Sequence, residues 1–335
     1  MLPAFFGLAG PTLGEAERAF FRSANPAGFI LFKRNCVDRA QMRALTDDLR
    51  ALVGRDDLPI LIDQEGGRVQ RMGPPIWPKL PSAEPFAALY EKAPVSAMEA
   101  ARLNARAIAG MLREVGVNVD CLPLLDVRRP YADAIIGDRA LGSDPVQVAS
   151  LGRLVLDGLR EGGVIGVVKH MPGHGRAMAD SHKELPVVTV SEEELAEDLL
   201  PFARLNDAPM GMTAHVVYTA WDAERCASLS PAVIDEVIRG RIGFDGLLMS
   251  DDLGMSALSG GFGERAAGVI AAGCDIALHC SGDMAEMEAV AGALGPIGEE
   301  ARARLDRAMA TIADAAPEED FAALAAKRDT LLALI

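Results

Sequence analysis

Three of the chain's five histidines fall within one short segment, KHMPGHGRAMADSHKELP at residues 169–186, which holds His170, His174 and His182 together with Lys169 and Asp180. Pro172, Gly173 and Gly175 stop a helix from propagating there, so the segment reads as an irregular loop leaving a strand. Asp180 and His182 are separated by one residue. At that spacing the carboxylate can accept a proton from one imidazole nitrogen and fix the ring's tautomer, leaving the other nitrogen to exchange a proton near neutral pH. The small or flexible side chains of 175–179 suit a loop that closes over a substrate. His174, between two glycines, reads either as a buried ring pinning the loop or as a substrate contact. A metal reading of His170, His174, Asp180 and His182 is disfavoured: the Pro-Gly pair between the first two denies them the shared helical face that HxxxH would need.

A second reactive group is GLLMSDD at 246–252, a strand-like run ending in adjacent carboxylates. Strand alternation lets one of Asp251 and Asp252 face a site as nucleophile while the other accepts structural hydrogen bonds. IDQEGGRVQR at 62–71 puts Asp63 and Glu65 at another strand end, before two glycines that permit a tight turn. Arg68 and Arg71 follow, placed either to pair with these acids or to reach a substrate, and Arg71 is counted among the binding candidates. IIGDRALG at 135–142 offers Arg139, whose planar fork suits hydroxyls or a carboxylate.

Positioning these groups requires strands whose ends converge. Eight short apolar runs alternate with Ala-, Leu-, Arg- and Glu-rich segments of helical period: 4–10, 28–34, 58–65, 117–127, 164–170, 209–217, 246–252 and 274–280. Near-continuous hydrophobicity in each fits strands buried on both faces, and eight strand–helix alternations predict one closed (β/α)8 TIM barrel, an α/β fold occupying 1–335 as a single catalytic domain. Helix signals support it: Ser191 with Glu194 as a capping box, Ser230–Pro231 as a helix start, and Gly116 as a stop. Pro201 is expected to end or kink its helix. From about 299 the Ala-rich tail reads as helices packed on the barrel. The polar residues gather at the carboxyl ends of five runs, where barrel enzymes assemble their sites.

Half of the 335 residues are hydrophobic, enough for a large core and against overall disorder. Thirty-three Lys and Arg against 48 Asp and Glu leave a net charge of −15, which disfavours nucleic acid and anionic membrane surfaces as partners. The apolar runs are strand-sized and no basic residue precedes the first, so neither a spanning helix nor a secretory signal is expected and the cytoplasm is the expected location. Five scattered cysteines read as reduced core thiols.

Taken in order over 62–255, IDQEGGRVQR, IGDRALG, KHMPGHG, ADSHKELP and LLMSDDLGM closely resemble the bacterial β-N-acetylhexosaminidases of glycoside hydrolase family 3, above all the single-domain cytoplasmic enzymes that recycle cell-wall fragments. The likeness covers the whole chain. It implies Asp251 as nucleophile, His182 as general acid/base with Asp180 as its partner, and Asp63, Arg139, Lys169 and His170 as groups holding the amino sugar. The departures are Met171 where Phe is usual, Leu141 in place of an aromatic, and Gly254 where Ser is common. The implied activity is retaining, exo-acting hydrolysis of terminal β-linked GlcNAc from GlcNAc-anhydroMurNAc fragments, by a cofactor-free monomer. A histidine acid leaves the site less negative than a second carboxylate would, so phosphorolysis with the same residues is the main alternative. A metal-dependent hydrolase and a barrel that only binds amino sugars are the others.

Overall fold

All eight apolar runs form strands. In the computed structural model, which describes residues 1–313 and 320–335, they are β1 (Leu2–Gly7), β2 (Pro26–Leu31), β3 (Ile60–Ile62), β4 (Val119–Asp120), β5 (Ile165–Met171), β6 (Met210–Thr213), β7 (Leu247–Asp252) and β8 (Ile276–His279). Each pairs in parallel with its sequence neighbours, and β8 closes on β1 with Ala4 opposite Ala277 and Phe5 opposite Leu278. The fold is a (β/α)8 barrel.

Strand alternation divides the apolar residues between two cores. Phe5, Ile30, Leu61, Val167, Met210, Met249 and Leu278 fill the barrel, while Ala4, Phe6, Phe29, Leu31, Ile60, Ile62 and Leu248 face the helices. Both sets are buried, which is why the runs read as continuously apolar rather than alternating. The fourth run is strand for only two residues. It contains Pro123, which has no ladder donor, and regains the sheet through one bridge between Leu124 and Lys169.

The local signals hold at most helix ends. Ser191 Oγ accepts from Glu194 N at 3.4 Å and Glu194 Oε2 from Ser191 N at 3.1 Å, opening the helix Glu192–Arg204. Gly116 takes φ +76° just past the helix Pro94–Glu114. Ser230 Oγ accepts from Val233 N at 3.2 Å, at the start of a helix at Val233–Arg241 wound with π-type hydrogen bonds. Pro201 does not end its helix, which runs through it to Arg204. It lies in the last turns of an already established helix, where its missing N–H removes one bond and its ring packs in a buried position.

In the tail, Glu299–Ala310 packs Leu305, Ala308 and Met309 into the inner barrel cluster, and Phe321–Leu332 packs Leu324 against Leu103 and Ala107. The part of the tail at 314–319 lies outside the described residues. All five cysteines are free, and four are buried. No helix among the described residues is long and apolar enough to cross a membrane.

Candidate active site

A cavity of about 270 Å³ opens at the carboxyl ends of the strands, lined by Asp63, Arg71, Arg139, Lys169, His170, His182 and Asp251, so the predicted residues converge on one place. Asp180 supports His182 from behind.

One wall begins at β3. Gly66 takes φ +94°, and a Cβ there would lie 2.1 Å from the Pro81 carbonyl oxygen; only glycine lets the chain fold back here. The buried Gln64 side chain fixes the return, its Oε1 accepting from Arg71 N at 3.1 Å and Met72 N at 3.0 Å. Arg71 thereby meets Asp63, donating from Nη2 to Oδ2 at 2.8 Å, while its guanidinium lies 5.2 Å from the Phe32 ring centre. Lys169 Nζ, nearly fully buried, donates to Asp63 Oδ1 at 3.1 Å and pairs with Glu65 Oε1 at 2.7 Å. Two of its three N–H groups are thus committed, leaving one for a substrate.

Of the two uses the Arg139 fork suits, hydroxyls or a carboxylate, it meets a carboxylate of the protein itself. Its Nε and Nη2 grip the two oxygens of Glu65 at 2.8 Å each, and Nη1 donates to the Ile135 carbonyl at 3.1 Å. Three of its five donors are spent on the protein. Glu65, buried and absent from the expected binding set, is therefore the hub joining Lys169 to Arg139. Burial would raise the Asp63 and Glu65 carboxyls, but Lys169 with Arg71 holds Asp63 well below the usual carboxylate range, and Lys169 with Arg139 lowers Glu65. The same acids raise Lys169 despite its burial. Arg68 also lines the cavity but pairs with Asp138 at 2.8 Å rather than with Asp63 or Glu65.

Lys169 and His170 are consecutive yet both line the cavity, and the peptide joining them is cis. Asp126 orients the histidine: its Oδ2 is 2.7 Å from His170 Nδ1, and its Oδ1 accepts from the backbone N–H groups of His170 at 3.2 Å and His174 at 2.7 Å. Burial would raise this carboxyl, but His170 and the other donors hold it down at about 2. The His174 ring is buried, its Nε2 3.2 Å from Ser181 Oγ, and burial followed by the neighbouring His170 pushes it down to about 4. It pins the loop as a neutral ring while also touching the cavity.

His182 projects to the cavity's open edge, its side chain 62% exposed, with Nδ1 2.9 Å from Asp180 Oδ1; the same oxygen accepts from His182 N at 2.9 Å. Slight burial would raise the Asp180 carboxyl, but these two bonds lower it. With Nδ1 committed to Asp180, Nε2 is the ring nitrogen that remains to give or take a proton.

At the end of β7, Asp251 is half-buried. Burial would raise it, yet His170, His215 and the Asp252 N–H, which donates to its Oδ1 at 2.8 Å, keep it below the ordinary carboxylate value and so anionic. Asp252 also touches the cavity, but its Oδ1 accepts from Gly254 N at 3.0 Å and Cys280 N at 3.1 Å. His215 braces the pair from beneath, Nε2 3.0 Å from the Asp252 carbonyl and Nδ1 2.8 Å from Ser228 Oγ. An anionic carboxylate, an oriented imidazole and a polar wall around one small cavity are the parts of a glycosyl-transfer site.

The three loop histidines turn to three different partners, Asp126, Ser181 and Asp180. Among the described residues no group of three or more His, Cys, Asp or Glu is arranged to hold a metal ion.

Residues 11–315 match the glycosyl hydrolase family 3 N terminal domain. The chain belongs to that family. This family 3 glycoside hydrolase groups with proteins described as β-hexosaminidases: it is 38% identical to that of Bordetella avium over 284 residues, 83% of this chain and 80% of the relative. It is 40% identical to that of Alkalilimnicola ehrlichii over the same length and coverage. In three dimensions it is similar to NagZ from Neisseria gonorrhoeae in complex with N-trifluoroacetyl-D-glucosamine, with a TM-score of 0.87 and 31% identity over 99% of this chain and 97% of that one. A family 3 β-N-acetylglucosaminidase from Paenibacillus sp. str. FPU-7 gives a TM-score of 0.79 at 31% identity, covering 98% of this chain and 61% of the other.

Proposed function

We propose that the enzyme is a retaining exo-β-N-acetylglucosaminidase that removes terminal β-linked GlcNAc from muropeptide fragments of the GlcNAc-anhydroMurNAc type. It acts in the cytoplasm as a monomer, with residues 1–335 as one catalytic unit. The observation that carries this reading is the meeting, in one cavity, of an anionic Asp251 with the His182–Asp180 dyad.

An Asp251 oxygen attacks the anomeric carbon as the bond to the leaving oxygen breaks, and His182 Nε2–H protonates that oxygen. The sugar is then an ester of Asp251. His182, now neutral, takes a proton from water; the water oxygen bonds to the anomeric carbon and Asp251 leaves as carboxylate. Asp180 holds the ring and stabilises its cationic form. Asp63, Lys169, His170 and Arg71 supply the polar wall that holds the sugar hydroxyls and N-acetyl group, and Arg139 acts there through Glu65. The small-molecule name of the Neisseria neighbour's ligand and the names of the relatives support an amino sugar.

The test is release of nitrophenol from 4-nitrophenyl β-N-acetylglucosaminide and from the β-glucoside, with EDTA and phosphate as separate additions. Turnover of the N-acetyl sugar alone, indifferent to EDTA and yielding free GlcNAc in phosphate, is expected. Sugar phosphate as product would make the enzyme a phosphorylase, EDTA-sensitive turnover a metal-dependent hydrolase, and no turnover by folded protein would overturn the reading.

A further inference from the structure

The loop that carries His182 is divided. Residues 173–177 are all buried, whereas Met178 is 71% exposed. The buried half contains a charged residue, Arg176, whose side chain is only 8% exposed. Arg176 Nε donates to Asp198 Oδ2 at 2.5 Å, Nη1 to the Tyr131 hydroxyl at 3.1 Å and Nη2 to the Glu194 carbonyl at 2.9 Å. Asp198 is 1% exposed and lies on the helix Glu192–Arg204; Arg129 approaches its other oxygen at 3.6 Å. Gly173 packs on the same residue, a Cβ there falling 3.0 Å from Asp198 Cβ. Asp133 N donates to the Ala177 carbonyl at 2.9 Å, so the next loop is tied to the same point.

A buried guanidinium–carboxylate pair is weak ground for net stability, because desolvating both charges offsets most of their attraction. Its geometric effect is stronger: three directed bonds from one rigid planar group hold the backbone at one place. That place is six residues ahead of His182, and all three partners of the Arg176 guanidinium lie outside the loop. The acid/base histidine itself is exposed and held locally only by Asp180. Its neighbour Ser181 is buried, its Oγ 3.2 Å from His174 Nε2 and its carbonyl accepting from Ala257 N at 3.2 Å, so where His182 Nε2 lies relative to the sugar depends on this contact together with where the chain leaves its anchored half.

We propose that Arg176 is a positioning residue for the acid/base dyad: locked to Asp198, it fixes the base from which the chain at 178–182 delivers His182 to the glycosidic oxygen. This rests on the proposed role of His182 as proton donor. The consequence is specific, because a misplaced donor harms substrates in proportion to their need for protonation. A dinitrophenolate leaves without help, whereas a phenolate or alkoxide does not.

The experiment measures kcat/KM of Arg176→Met, Asp198→Asn and the double variant on aryl β-N-acetylglucosaminides from 2,4-dinitrophenyl to phenyl, with His182→Ala alongside. Expected are losses of under about 3-fold for the dinitrophenyl substrate and about 10- to 100-fold for the phenyl one. The double variant should be no worse than the worse single, and Arg176→Lys should restore part of the loss. Tyr131→Phe, which removes one bond to Arg176, should show the same slope at about 2- to 3-fold and supplies the answer if the charge variants fail to fold. Equal loss on every leaving group, or none on any, in variants that melt as one cooperative unit would overturn the proposal. A flat leaving-group dependence in His182→Ala would instead remove the proton-donor role on which it stands.

Discussion

Replacing Glu65 by glutamine keeps the side chain's volume and removes one buried charge from the polar wall. In the wild type Asp63 and Glu65 face Lys169, Arg71 and Arg139; in the variant three cations face Asp63 alone. Glu65 accepts the 2.7 Å contact from Lys169 and both 2.8 Å bonds from Arg139. A glutamine can keep the acceptors on one oxygen, but its NH2 is then turned toward an arginine N–H that donates as well. Removing one partner of a buried pair costs about 3–5 kcal/mol, because the other charge stays desolvated and unpaired. At about 2.1 cal/mol/K of unfolding entropy per residue, a chain of 335 residues shifts by about 1.4 °C per kcal/mol, so the melting temperature should fall by about 4–7 °C. Thermal unfolding followed by circular dichroism reads this directly, with KM for the nitrophenyl substrate as the companion readout. Arg139→Met should cost a similar amount, and the Glu65→Gln/Arg139→Met double variant less than the sum by about 1–3 kcal/mol. A fall of less than about 2 °C, or strict additivity, would mean that the network behaves as a solvated surface pair contributing about 0–1 kcal/mol, and the reasoning from burial would be wrong.

Two further predictions concern the carboxylates around the cavity. Asp251→Ala should lose turnover by at least about 10³-fold with little change in melting temperature, whereas Asp252→Ala strands the Gly254 and Cys280 N–H groups and should cost about 1–3 kcal/mol of stability; equal catalytic loss at unchanged stability in both would reverse the assignment. Burial pushes the Asp120 carboxyl up from its ordinary 3.8 to about 8, with Oδ2 unpartnered and Oδ1 accepting from Gln64 N at 2.9 Å. The native state therefore keeps a proton that the unfolded chain loses, and this group's stabilisation, full below pH 3.8, is lost as pH rises through 8. Asp120→Asn cannot ionise, so its melting temperature relative to wild type should climb between pH 4 and 9, and a difference that stays flat would contradict the shift.

Much of this arrangement is legible in the sequence because it depends on short-range pattern. Strands buried on both faces must be apolar throughout, which marked all eight, and the dyad joins residues two apart, so its geometry follows from local chain constraints. Alternation was expected to turn only one of Asp251 and Asp252 to the site, yet both line the cavity; they differ in bonding, Asp252 Oδ1 alone accepting from the Gly254 and Cys280 N–H groups. What escaped is set by distant pairings. The partner of Arg139 lies 74 residues away, and its fork could equally have met a sugar. Arg176 sits in a stretch of small residues that reads as flexible, yet Asp198, on what looks like the solvated face of an acidic helix, becomes buried only when that helix and the loop dock. Asp126 and Glu65 were visible as strand-end acids, but their bonding to His170 and to Lys169 with Arg139 emerges only once the barrel closes.

The central claim is that the sugar is carried covalently by Asp251. Its most direct test is to incubate the enzyme with a 5-fluoro-β-N-acetylglucosaminyl fluoride, whose glycosyl-enzyme turns over slowly, and to map the modified peptide by mass spectrometry. A glycosyl-enzyme on Asp251 gives one added N-acetyl-5-fluorohexosaminyl group on that residue, absent from Asp251→Ala. A label on Asp252, or inactivation-free turnover with inversion at the anomeric carbon, would contradict it.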